Sequence, residues 1–302
     1  MAYTSGDTIL DDHYNDFATS VNALWGTGSG DSGYGQGTTV SSVSAGSTIT
    51  AAQWTTLLAR MNSMASHQGS SITAISNPSA GGTISAFTAL STNISTITTN
   101  RLNVAARQSV ANTNRDNTNT FTGTLTFTHK WQWGSVNQAR YFFNAGGRLS
   151  ISGDQFSHTS RDKANNWDTL LQQAGTYYVY AQTAGKSGGS GSPTTNLTTT
   201  AGYYDLTSSY LTVFQQYEDT SPYTANYVRW QLRTQDSGAS VEASCIWVDA
   251  AAEDTQPFTP NSPELDQVDG THRMTFGYEK HNTTYVSDAA GTPTITGTAT
   301  GS

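Results

Sequence analysis

The sequence predicts a mainly β chain, with a small α+β repeat region at the N-terminus followed by a β-sandwich-like C-terminal domain. Three observations predict it. A similar tetrapeptide recurs as GDTI at 6–9, GSTI at 46–49 and GGTI at 81–84. Each copy leads into apolar residues at steps of three and four, the signature of an amphipathic helix. From Phe121 onward the period changes to two, in short β-branched and aromatic runs separated by Gly, Asn, Asp or Ser turns.

The repeat extends beyond the tetrapeptide. QGTTVSSVSAGSTIT at 36–50 matches QGSSITAISNPSAGGTIS at 68–85, with a three-residue insertion around Pro78. Self-similarity at this spacing marks stacked supersecondary units. Each unit reads as a strand (38–43 and 70–75), a turn and a helix. Thr50 and Gln53 in TAAQ form a capping box at the second helix. The helical stripes are Tyr14, Phe17, Val21 and Leu24, then Trp54, Leu57, Met61 and Met64, then Phe87, Leu90, Ile94 and Ile97. Their Ser and Thr content makes these helices weak in isolation, at up to about 0.7 kcal/mol per residue against Ala. They need neighbours, which come either from the same chain or from other copies.

On the second alternative, Tyr14, Phe17, Trp54, Leu57, Phe87, Leu90, Ile94 and Ile97 are the docking and oligomer residues. Phe87, Leu90, Ile94, Ile97 and Val104 also follow heptad spacing, with Arg101 at the skipped position. Ile at both a and d favours three or more strands, hence a homotrimer, with an intrachain helix as the alternative. Residues 107–120, RQSVANTNRDNTNT, have almost nothing to bury and read as a linker. The expected organisation is therefore a repeat and helical docking region at 1–106, a linker at 107–120 and a β-sandwich-like domain at 121–302.

Within that last domain the strand candidates are TFTGTLTFTH, ARYFFNAGGRLSIS, GTYYVYAQ, SYLTVFQQY, NYVRWQLRT, VEASCIWVDA and RMTFGYEK. One helix is expected at 160–175, capped by Ser160 or Asp162 and stopped by Gly175. GKSGGSGSP at 185–193 reads as a flexible exposed loop.

Composition narrows the function. Charged residues are 12% of 302, the net charge is −8, and no basic run occurs, so nucleic acid is an unexpected partner. Cys245 is the single cysteine, which excludes an intrachain disulfide and a cysteine zinc cluster; Ile246 and Trp247 beside it predict a buried thiol. No apolar run reaches the roughly 20 residues a membrane span needs, and MAYTSGDT has no signal-peptide pattern. Assembly in a cytoplasm is the expectation.

The motif candidates favour structure over chemistry. GSGDSG at 28–33 fits GxGxxG but lacks a preceding strand and a following helix, and GKSGG at 185–189 lacks the P-loop's first glycine and its helix. His13, His67, His129, His158, His272 and His281 show no metal-ligand pairing along the chain. Glu253 and Asp254, then Glu264, Asp266 and Asp269, read first as solvated loops, with calcium or paired carboxylates as the alternatives. The tyrosines from Tyr203 to Tyr227 read mostly as core, with Tyr223 in TSPYTAN as a possible glycan contact. No catalytic residue, cofactor or metal is expected.

YTSGDTILDDHYNDF, GYGQ, ITAAQWTTLLARMNSMASHQGSSIT and ARYFFNAGGRLSIS together resemble uncharacterised virion structural and fibre-like proteins of tailed bacteriophages, particularly cyanobacterial myoviruses. The resemblance implies a structural protein of the neck, tail or fibres, assembled in the host bacterial cytoplasm. It also implies several copies around a symmetry axis, contacting other virion proteins. On that reading the N-terminal region docks and the β domain projects. The alternative is a receptor-binding module for host surface polysaccharide. A depolymerase fits less well, because nothing after residue 120 shows the regular coils of a β-helix.

Overall fold

The computed structural model describes residues 11–79, 86–251, 255–259, 262–265 and 267–301, the side chains of 109–110 and 255–265 excepted. GDTI at 6–9 and GGTI at 81–84 lie outside the described residues, as do Glu253, Asp254, Asp266 and the Glu264 side chain. In chain order the elements begin with α1 (Asp11–Trp25), α2 (Ala51–Gln68), α3 (Phe87–Thr99), β1 (Arg107–Asn117), β2 (Gly123–Gln132) and α4 (Val136–Asn144). Next come β3 (Arg148–Phe156), α5 (Asp162–Ala174), β4 (Thr176–Val179), β5 (Ala184–Ser187), β6 (Thr195–Asn196) and β7 (Leu211–Tyr217). The chain ends with β8 (Tyr227–Gln235), β9 (Ser240–Asp249), β10 (Thr255–Thr259), β11 (Ser262–Leu265), β12 (Thr271–His281), β13 (Thr294–Thr296) and β14 (Ala299–Thr300).

Two compact units result, and neither is continuous in sequence. One comprises Met1–Gln108, Asn137–Gly147 and Lys280–Gly291; the other comprises Ser109–Val136, Arg148–Glu279 and Thr292–Ser302. The chain first passes from one unit to the other at Gln108–Ser109 and returns to the first at 137–147 and 280–291.

In the first unit the three helical stripes meet in one cluster. Tyr14, Phe17, Val21 and Leu24 of α1, Trp54, Leu57, Met61 and Met64 of α2, and Leu90, Ile94 and Ile97 of α3 are buried together, with Phe87 half-buried against them. Phe17 and Phe87 meet at a ring separation of 5.0 Å. Each such side chain, fully buried, contributes about 1.5–3 kcal/mol. The residues expected to dock on other chains are thus consumed by their own chain's core. α3 also ends at Thr99, before Arg101 and Val104, so the heptad seam is not continued.

The capping box forms as expected. The Thr50 hydroxyl accepts from the Gln53 backbone N–H and the Gln53 side chain accepts from the Thr50 N–H at 2.8 Å. Gly69, at φ 70°, ends the helix in the left-handed conformation that a side chain disfavours.

The strands expected at 38–43 and 70–75 do not pair with any strand. They run extended, and asparagine side chains satisfy them instead. Asn22 bonds both backbone groups of Val40, Asn15 both of Val43, and Asn93 both of Thr73, all at 2.8–3.0 Å. The glycine-rich stretch at 28–33 is a structural loop. Its carbonyls at Gly30, Ser32 and Gly33 accept from Arg140 and Asn144 of α4.

The second unit carries two sheets, of order β1-β12-β3-β4-β5 and β13-β2-β9-β8-β7-β6, with β14 also on β2. Outside them β10 and β11 form an antiparallel hairpin. The sheets meet through aromatic rings. His129 of β2 stacks on Phe276 of β12 at 4.4 Å, Tyr177 of β4 meets Phe214 and Trp230 at 6.1 Å, and Trp247 of β9 donates to the Met274 sulfur. Cys245 is buried among them, and burial pushes its thiol well up.

Several segments depart from expectation. Residues 107–117 are not linker but the edge strand β1, whose Asp116 and Asn114 bond Arg273 and Thr275 of β12. An edge strand can be polar because one of its edges is unpaired, and no described side chain of β1 is buried. ARYFFN is the end of α4, not a strand. The aromatic triplet favours β locally, yet Ala139, Phe142 and Phe143 bury at helical spacing. α5 stops at Gly175 as expected, but its N-cap is Arg161, which makes no side-chain cap bond. Part of the glycine loop is ordered as β5, pairing with β4, and the Lys186 Nζ donates to the Gly191 carbonyl at 2.6 Å.

Candidate functional site

Period two on β8 sends Val228, Trp230 and Leu232 inward and leaves Tyr227, Arg229, Gln231 and Arg233 half-exposed on the other face of the sheet. The neighbouring strand brings Gln215 opposite Arg229 and Tyr217 opposite Tyr227. Tyr217 is 39% exposed, among the largest exposures of a big apolar side chain in the described residues, and its ring lies 5.0 Å from that of Tyr227. The Arg229 guanidinium sits 5.0 Å from the Tyr227 ring centre, donating through Nε to Gln215 at 2.8 Å and through Nη2 to the Tyr227 hydroxyl at 3.2 Å.

Charge on this face is unevenly matched. Arg233 is paired with Glu242 at 2.8 Å and lies over Tyr210, and Lys130 is paired with Asp236 at 2.7 Å. Burial, followed by a hydrogen bond to Glu242 and then the Glu242 charge, pushes the Tyr210 hydroxyl up to about 12. Among the described residues Arg229 has no carboxylate within ion-pair distance. A positioned cation beside two phenol rings is suited to hold a ligand that is flat on one side and anionic on another.

A second polar group lies at one end of the same sheet. Asp249, Asn226 and Glu218 occupy one inward row across β9, the turn before β8 and the turn after β7, buried to 8%, 2% and 4% exposure. The Asn226 Oδ1 accepts from the N–H groups of Ala250 and Ala251. Lys163 of α5 pairs with Asp249 at 2.9 Å. The Glu218 Oε1 accepts from Asp219 and Thr220, while its Oε2 has no partner among the described residues. Burial holds this carboxyl above the usual range.

The buried histidines are held neutral. In the first unit His67 lies 5.2 Å from His281 and 5.0 Å from Tyr34, ring to ring; burial, then the His281 charge, lowers it to about 4. In the second, burial lowers His129 to about 3 and His272 to about 4. Each is packed by aromatic rings, so these are core histidines.

The expected glycan contact at Tyr223 is not available: its side chain is 1% exposed. Of the acidic cluster, Asp269 is described, and it accepts from Thr159. Among the described residues no three His, Cys, Asp or Glu side chains gather in metal-holding geometry, and no helix is long and apolar enough to cross a membrane. Sequence reading missed Tyr217, Arg229, Lys163 and Asp249. Alternation along NYVRWQLRT would have placed Arg229 opposite Trp230; the pairing of Lys163 with Asp249 has no local signal. No protein-family model, curated protein or solved structure matches the chain.

Proposed function

We propose that the chain is a structural protein of a tailed-bacteriophage particle, in the neck, tail or fibres, assembled in the bacterial cytoplasm. Its helical unit docks on other virion proteins and its β unit is presented outward. The observation that supports docking is the outer side of α3, where Ser91, Thr92, Ser95, Thr96, Thr99 and Asn100 line an open depression of about 430 Å³. With the apolar stripe already buried, this uncharged hydroxyl surface is what the helix offers a neighbour, through hydrogen bonds. Gold-labelled antibody against the β unit should decorate purified particles at one symmetric position. Particles free of the chain would end this reading.

The arrangement of Tyr217, Tyr227 and Arg229 favours a second reading, a receptor-binding module for host surface polysaccharide. Binding of the full chain to host polysaccharide should weaken about tenfold, or about 1.4 kcal/mol, in both Tyr217→Ala and Arg229→Gln. Unchanged binding in both variants would remove that face from consideration.

A further inference from the structure

Lys163 lies in the first turn of α5, and Asp249 is the last residue of β9. Their side chains are 0% and 1% exposed, and Nζ lies 2.9 Å from Oδ2. One helical turn along α5, Trp167 stacks on Trp247, two residues back along β9, with ring centres 5.6 Å apart and planes 15° from parallel. Spacing of four on a helix and two on a strand puts each pair on one face of its element. The indole stack therefore fixes α5 against β9 and keeps water from the charged pair beside it. On the other side Asn226 anchors the backbone just past Asp249 through Ala250 and Ala251, and Lys163 also donates to the Ala251 carbonyl at 3.4 Å.

A pair this deeply buried keeps the desolvation cost of both charges. Joining the ammonium to the carboxylate as an amide cancels both charges. In water these groups do not condense, because they are dilute and water opposes the loss of water. Here they are held in contact, and bulk water is excluded.

We propose that Lys163 and Asp249 become joined by an intramolecular amide bond once the second unit has folded. Nζ attacks Cγ, a Cγ–Nζ bond forms and one Cγ–Oδ bond breaks. The departing oxygen leaves as water with two of the three ammonium protons, and the third stays on the amide nitrogen. Ammonium and carboxylate thus give amide and water, with no oxidant, metal or co-reactant. The product is a neutral group in a dry site and a covalent clasp between α5 and β9. It closes the chain from Lys163 to Asp249 into a loop, which also restricts the unfolded ensemble.

The test is the intact mass of the full-length chain, measured after complete denaturation. The wild type should be lighter than its sequence by one water, and digestion should yield a branched peptide joining the segments of Lys163 and Asp249. Lys163→Arg keeps the cation but has no nucleophilic amine, so it should show the full sequence mass. Asp249→Asn should condense by releasing ammonia and be lighter by one ammonia. A folded wild type at full sequence mass overturns the proposal, whether or not the variants fold. So does a loss of water that persists in Lys163→Arg.

Discussion

Asn22 pairs with Val40 as a neighbouring strand would: its Nδ2 donates to the Val40 carbonyl and its Oδ1 accepts from the Val40 N–H, both at 2.8 Å. Asn15, seven residues earlier on the same face of α1, does the same for Val43, and Asn93 of α3 for Thr73. An amide side chain can offer an N–H donor and its C=O acceptor to the same residue, as a residue on a paired strand does. Extended segments that bury Val40 can therefore lie along a helix without a sheet to complete them.

Asn22→Ala should destabilise the first unit by about 1–3 kcal/mol, because it leaves both backbone groups of Val40 unpaired at a buried residue. Asn22→Asp keeps the acceptor and removes the donor, so its cost should be of the same order. Urea denaturation followed by helical circular dichroism measures both. Variants with wild-type midpoints would show that water replaces the amide at no cost.

Thr50→Ala should lower stability by about 0.5–2 kcal/mol by removing the acceptor for the Gln53 N–H. Thr50→Ser should recover most of that loss. A midpoint unaffected by Thr50→Ala would mean that α2 is held by its packed stripe alone.

Acid should weaken both units. The folded-state values of His67, His129 and His272 are about 4, 3 and 4, below the unfolded value of about 6.5. Below that value the unfolded chain binds more protons than the folded one, so the stability present above it is lost as pH falls toward 4. The slope is about 1.4 kcal/mol per pH unit for each histidine. Glu218, held above its ordinary range, works in the opposite direction near its own titration. His129→Phe should flatten the dependence between about pH 6.5 and about pH 4.5 without abolishing it, since His67 and His272 remain. Equal slopes in wild type and variant would remove His129 from the account.

Ile97→Asp should unfold the first unit rather than separate subunits, because Ile97 is fully buried in its own chain's cluster. An uncompensated buried charge costs about 3–5 kcal/mol, a large part of a small unit's stability. Circular dichroism with light scattering distinguishes the outcomes. Helical signal retained while the mass drops by an integral factor would restore the expected trimer seam. A fragment ending near residue 106 should not melt cooperatively by itself, since the unit also needs 137–147 and 280–291.

What the sequence determined by itself was local. Periodicity marked the stripes of α1, α2 and α3, reciprocal side-chain chemistry marked the Thr50–Gln53 cap, Gly175 marked a helix end, and alternation marked β2, β7, β8, β9 and β12. Each of these depends on residues a few positions apart, so spacing alone carries the information. Tertiary structure decided whatever depended on distant partners. It made the polar 107–117 an edge strand on β12, turned the aromatic ARYFFN into a helix, and left 38–43 and 70–75 to asparagines instead of a ladder. It buried Tyr223 and raised Tyr217 and Arg229 together on a sheet face. It also brought Lys163 onto Asp249, which no local pattern announces, because the two residues meet only when α5 packs on β9.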